Sequence, residues 1–161
     1  MKPKLQRLFE EYHDYHRHPI NRLTHKIAIP LIVFHIVAML DWIALAEVGG
    51  VTITAGHVGW LAAAGWYLSM HVRLGLVMAA LFALCFPLAR ITPWPVVVAV
   101  AVVGWLIQLA GHVVWEKRQP AFVTNLVQAL VGPLYFVAAL TGDWKIPAPL
   151  PEPAPAQRRG E

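Results

Sequence analysis

The stretch KIAIPLIVFHIVAMLDWIALA, residues 26–46, decides the fold. Between Lys26 and Asp41 it carries no formal charge, and roughly 20 apolar residues are what a helix needs to cross the hydrocarbon of a bilayer. The helix that contains it is predicted to begin near Ile20 and to run to about Ala46, with Pro30 able to kink it by removing an internal hydrogen bond. The same texture continues along the chain. Between His57 and His112 the only charged side chains are Arg73 and Arg90, and the 161 residues are 58% hydrophobic and 14% charged, with a mean hydropathy of +0.55. A water-exposed surface cannot be built from so few charges. The predicted class is therefore all-α: an integral membrane helical bundle of about four to five hydrophobic helices, preceded by an N-terminal amphipathic helix.

Residues 3–17 place Leu5, Leu8, Phe9 and Tyr12 at helical spacing, as in a short helix lying at the membrane surface, and Pro19 ends it. EVGGVTITAG, residues 47–56, reads as a loop or short extended piece. Residues 57–90 are too many for one straight span and divide into helices over 57–70 and 72–90. ITPWP turns the chain, 96–117 form a fourth span, and 122–140 a fifth apolar segment. Residues 1–145 thus make a single membrane-embedded domain, and the Pro/Ala-rich tail 146–161 is expected to be extended and disordered. No signal peptide is expected, because acids and histidines occupy the place of its apolar core. The single cysteine, Cys85, excludes an internal disulfide.

The net charge of +4 does not point to nucleic acid. The basic residues gather at segment ends (Lys2, Lys4, Arg7, Arg17, Arg22 and Lys26, then Lys117 and Arg118), where membrane lipid headgroups or an anionic substrate are the better partners. If this Lys/Arg-rich N-terminus is cytoplasmic, four crossings return the end of the fourth span to the same face. His16, Asn21, His25, Gln108, His112 and Glu116 then share the cytoplasmic face of a bacterial inner membrane, or of an ER membrane in a eukaryote. Merging 57–90 into one span would put the two groups on opposite faces.

Eight histidines are many for so apolar a chain, and neutral imidazole is the commonest side-chain metal ligand. In the bland reading each of them hydrogen-bonds only to headgroup or backbone. His112 and Glu116 form an (i, i+4) pair beside Gly111, with Gln108 one turn before, so all three share a helical face. Asn21 and His25 form a second such pair. Glu116 is open to three roles: metal ligand, partner of a ligating imidazole, or counter-ion of Lys117 or Arg118. His35 lies ten residues past His25, roughly 15 Å along the helix, and reads as a packed residue. His57 and His71 read as interfacial, and Trp42, Trp60, Trp66, Trp94, Trp115 and Trp144 as belts at the two interfaces.

Two blocks together, YHRHPINRLTHKIAIPL (15–31) and QLAGHVVWEKRQPAFVTNLVQALVGPLYF (108–136), resemble the signatures of the Mpo1-like family, also called DUF962 or YGL010w-like. The resemblance implies an Fe²⁺-dependent dioxygenase that converts a 2-hydroxy fatty acid and O₂ to the acid one carbon shorter, with release of CO₂. It carries the metal role onto His16, His25 and His112; His13 and His18 lie beside the motif. Asn21, Gln108, Glu116, Gln128 and Pro133 also fit the pattern. Of these, Glu116, Asn21 and Gln108 are read as catalytic, and Arg118, Lys117, Arg22 and Lys26 as binding the substrate carboxylate, arginine by its fork of donors. The acyl tail would lie between helices.

Other classes remain in view. HDYHRH (13–18) suggests a di-iron hydroxylase, although such sites need more histidine clusters. A b-haem protein would use His35 and another intramembrane histidine. A non-catalytic lipid-binding or scaffold protein would bind no stoichiometric metal. Faces such as WLAAAG (60–65) permit close packing within or between chains, which leaves a homo-oligomer open.

Overall fold

The computed structural model describes residues 1–146; the tail expected over 146–161 lies outside the described residues from Pro147 onward. Helix α1 (Pro3–Asp14) leads into α2 (Pro19–Asp41), a hairpin of β1 (Ala44–Val48) and β2 (Val51–Thr54), and α3 (Ala55–Met70). Then follow α4 (Val72–Ala83), α5 (Cys85–Ile91), α6 (Trp94–Ala110), a π-helical segment (Gly111–Glu116), α7 (Ala121–Thr124) and α8 (Val127–Leu140). Three stretches are long and apolar enough to cross a membrane: Pro19–Asp41, Val72–Ile91 and Trp94–Glu116. Helices α3 and α8 are shorter apolar companions.

Helix α2 packs most extensively on α6, and α3 on α4. At the α3–α4 corner a Cβ on Gly75 would come within 2.6 Å of the Leu68 backbone, so only glycine admits this approach. The amphipathic α1 covers α8. Its Leu5, Phe9 and Tyr12 are buried with Tyr67, Leu74, Met78, Leu134 and Tyr135 in the main core, and Phe9 meets the Tyr135 ring edge-on at 5.5 Å.

Three boundaries differ from expectation. Helix α2 stops at Asp41, five residues early, because its end is recruited into a polar cluster: Asp41 accepts from Thr54 Oγ1 at 2.8 Å and pairs with Arg90 at 3.6 Å. Residues 44–46 instead pair with β2 across Gly49 and Gly50, whose φ values of +57° and +78° suit a tight hairpin turn. The helix expected over 72–90 breaks at Leu84, where Pro87 cannot donate to the carbonyl one turn back. The fifth apolar segment breaks at Asn125, whose side chain accepts from Val127 N at 3.2 Å.

The two ends of the bundle carry different polar groups. Asp41, Thr54, His57 and Arg90 gather at one end. At the other, Lys2 Nζ donates to Ser69 O at 2.6 Å and Arg73 pairs with Asp143 at 3.2 Å. Residues 57–90 therefore traverse the bundle twice, and the histidine groups of α2 and of the end of α6 meet at one end.

Two tryptophans assigned to belts turn inward instead: Trp60 Nε1 donates to Ala79 O at 2.9 Å, and Trp144 packs edge-on against Phe9. His57 and His71 are helix caps. His57 completes a capping box with Thr54 at the start of α3, and His71 Nδ1 accepts from Leu74 N at 3.3 Å.

Candidate metal centre

Three imidazoles converge where α1, α2 and the π-helical segment meet. His16, His25 and His112 are 2%, 0% and 1% exposed, and one ring nitrogen from each lies within 4.8 Å of the other two. Their rings stand 4.5 to 4.9 Å apart and nearly perpendicular to one another. Among the described residues this is the single group of three or more histidine, cysteine or carboxylate side chains so arranged.

Local backbone fixes two of the rings. His16 Nδ1 donates to Tyr12 O at 2.6 Å and His25 Nδ1 donates to Asn21 O at 2.8 Å, each across one helical turn. Those bonds place the proton on Nδ1 and leave the Nε2 lone pair free, the tautomer a metal requires. Burial, reinforced by the adjacent His25, holds His16 well below the usual histidine range, so its ring is neutral. Tyr12 stacks on it at 3.9 Å.

The nitrogens are crowded in a way that hydrogen bonding among themselves does not satisfy. The one lone pair on His25 Nε2 faces both His112 Nε2 at 3.0 Å and Gln108 Nε2 at 2.7 Å. His112 Nδ1, Gln108 Oε1 and Asn21 Oδ1 are buried without any partner in the protein. With metal–nitrogen bonds of about 2.1 Å, two ligands at right angles sit about 3.0 Å apart. The donor set fits a divalent ion of intermediate softness such as Fe²⁺ or Zn²⁺.

Glu116 does something other than face this point. Its Oε1 accepts from Arg17 N at 2.9 Å, and its Oε2 from His18 N at 3.0 Å and Asn21 Nδ2 at 2.9 Å. The carboxylate thus ties down the segment that carries His16, at the start of α2, where helix N–H groups favour an anion. Of the residues read as catalytic, Glu116 holds the backbone after His16, Asn21 O accepts from His25, and Gln108 Nε2 lies 2.7 Å from His25 Nε2. The π geometry explains the division. Its i→i+5 bonding widens the turn, so the (i, i+4) pair of His112 and Glu116 no longer shares one direction. Lys117 closes the segment in the left-handed region, with φ of +52°.

The π segment can lie against α2 because residue 111 is glycine: a Cβ there would collide with Thr24 Oγ1 and Asn21 Oδ1. Alanine at a helical glycine normally stabilises. Here Gly111→Ala is expected to weaken metal binding by about tenfold or more with helix content retained, as read by metal titration and circular dichroism.

An apolar cavity of about 220 Å³ opens beside the triad, lined by Tyr12, His16, Gln108, His112 and Gln128 at one end and by Ile36 and Phe82 among others along its length. The four cations read as substrate-binding do not line it. Arg118 lies 3.7 Å over the Tyr15 ring and donates to Asp14 O. Lys117 is exposed. Arg22 is half-buried, and its charge bears on His13 and Tyr135. Lys26 borders a second cavity, on the other side of Ile29 and Val33. His13 accepts or donates at Tyr135 Oη (3.0 Å), His18 caps α2 through Ile20 N (3.2 Å), and His35 donates to Leu31 O (3.1 Å), so none of these joins the triad. Residue type gave no sign that Gln128 would be a buried cavity group; its lone polarity within an apolar run was the available signal.

Comparison with known proteins agrees with the two sequence blocks. The profile of the family described as "2-hydroxy-palmitic acid dioxygenase Mpo1-like" matches residues 3–144. The chain is 33% identical over 131 residues to the "2-hydroxy-palmitic acid dioxygenase MPO1" of Saccharomyces cerevisiae, covering 78% of this chain and 72% of that protein. No solved structure matches. With the profile spanning both histidine-bearing blocks and all the helices between them, the chain belongs to the Mpo1-like family.

Proposed function

We propose that this protein is a membrane-embedded, Fe²⁺-dependent dioxygenase that carries out alpha-oxidation of a 2-hydroxy fatty acid. The observation that carries the reading is a triad of buried imidazoles beside an apolar cavity that His16 and His112 line. The yeast relative's name supplies the substrate class and the oxygenase reaction.

His16, His25 and His112 would hold the ion by their Nε2 atoms, leaving positions for the substrate and O₂. Bound there, Fe²⁺ would supply O₂ activation and polarisation of the 2-hydroxyl. The reaction balances without a further reductant: R–CH(OH)–COOH and O₂ give R–COOH, CO₂ and H₂O, the substrate's carbons providing every electron that O₂ accepts. The protein's own work is to fix the tautomers through Tyr12 O and Asn21 O, to hold the His16 segment through Glu116, and to keep the polar end of the cavity dry. The tail lies along the apolar wall, where each buried methylene contributes about 0.8 kcal/mol. By the charge bias of the N-terminus the site would face the cytoplasm, at a bacterial inner membrane or at an ER membrane in a eukaryote, and membrane lipid would be both solvent and source of substrate.

The test is anaerobic Fe²⁺ loading of detergent-purified protein, then addition of 2-hydroxyhexadecanoate and O₂ with no electron donor. The expected product is the acid one carbon shorter, with one CO₂ per turnover. A protein that takes up iron stoichiometrically and leaves this and other chain lengths untouched would remove the dioxygenase reading and favour the lipid-binding one.

A further inference from the structure

Helix α8 carries one carboxamide in the run VQALVGPLYFVAAL, and among the described residues it is the one side chain with two buried, unpaired polar atoms. Gln128 is 2% exposed, yet both its amide nitrogen and its amide oxygen lack a partner, and both belong to a residue that lines the triad's cavity. Tyr12, 3% exposed, lines the same cavity with its hydroxyl likewise unpaired. The two are neighbours across α1 and α8. Gly132, one turn beyond Gln128, sits under Tyr12, where a Cβ would be 3.2 Å from the hydroxyl. An uncompensated buried amide costs on the order of 1–3 kcal/mol, and such groups in a cavity mark where a ligand's polar atoms go.

We infer that Gln128, assisted by Tyr12, recognises the polar head of the substrate, taking the part that sequence reasoning gave to surface cations. The inference rests on the reading of this cavity as a 2-hydroxy acid site. A carboxamide presents a donor beside an acceptor. A 2-hydroxy carboxylate presents the complement, an acceptor oxygen beside a hydroxyl donor, so one amide can satisfy both. Tyr12 Oη donates to the remaining carboxylate oxygen. Neutral groups do this without leaving a permanent buried charge when the site empties. The same pairing discriminates: an acid without the 2-hydroxyl leaves Gln128 Oε1 unpaired, and a site built to bond a hydroxyl rejects the analogue that lacks it. Arg118 and Lys117 do not line the cavity and add no such selectivity.

The test is equilibrium binding to metal-loaded protein held anaerobic, so that no turnover occurs, by displacement of a fluorescent fatty acid. Ligands are 2-hydroxyhexadecanoate, hexadecanoate and hexadecanol. Wild type is expected to prefer the 2-hydroxy acid. Gln128→Met, close in volume, is expected to weaken that ligand by about tenfold or more and to erase the preference, with metal content and hexadecanol binding unchanged. Gln128→Glu, which sets a carboxylate against the ligand's own, should bind it less well still, and Tyr12→Phe should show a smaller loss in the same direction. Retained preference in Gln128→Met overturns the inference, as does a parallel loss of hexadecanol, which would assign Gln128 to packing. In either case wild-type turnover leaves the dioxygenase reading standing, whereas a wild type that binds no acid at all removes that reading and the inference together.

Discussion

His112→Ala is expected to strip the protein of metal and bring O₂-dependent chain shortening to background. Two of the three rings hold their orientation through their own helices, His16 on Tyr12 O and His25 on Asn21 O, and neither bond depends on His112. The variant therefore keeps a pair of preset imidazoles and lacks the ligand that faces His25 at 3.0 Å. The expected loss of affinity exceeds the roughly 10–100-fold that follows removal of a group supporting a ligand. His35→Ala is the matched control, being another histidine within an apolar helix whose ring donates only to Leu31 O; it should retain full metal content. Elemental analysis of the two purified variants beside wild type decides the matter, and equal metal in all three would dismiss the triad.

Glu116→Ala should produce the second-largest effect without touching a ligand. It removes the acceptor for Arg17 N, His18 N and Asn21 Nδ2 at once. The segment bearing His16 then keeps only its own turn and the contacts of Arg118 with Asp14 O and the Tyr15 ring. Metal affinity is expected to fall by about 10–100-fold, with Glu116→Gln intermediate because its amide oxygen still accepts while its charge is gone. The pair also separates two roles. Were the carboxylate itself a ligand, Glu116→Gln would lose metal as completely as His112→Ala; a partial loss that tracks the count of remaining acceptors identifies a support.

Sequence patterning made the hydrophobic segments legible because burial in lipid leaves a signal that needs no knowledge of partners. It failed at residues 44–46, where Ala, Leu and Ala continue the apolar run of α2 and hydropathy alone cannot tell helix from strand; what ends α2 is Asp41 meeting Thr54 and Arg90, contacts remote in sequence. The (i, i+4) pairs found the right region for chemistry, but they assume α geometry. The π segment breaks that assumption, sending His112 and Glu116 to different tasks. Residue type said nothing of which histidines would be caps: His18, His57 and His71 each accept from a backbone N–H at the start of a helix, as serine or aspartate would. The cations were chosen by charge, and one of them, Lys26, lines a cavity beside His25; the neutral polar groups of the other cavity become legible only once helices α1 and α8 are side by side.

The bond between Arg17 N and Glu116 joins residues 99 apart in the chain, and this has a consequence in time. During synthesis the segment carrying His16 and His25 emerges early and has nothing to close against until the last long span has been threaded into the bilayer. The three imidazoles can therefore meet only after that span is in place. Closure of the triad becomes the final act of assembly, and a chain arrested before His112 is made cannot form it.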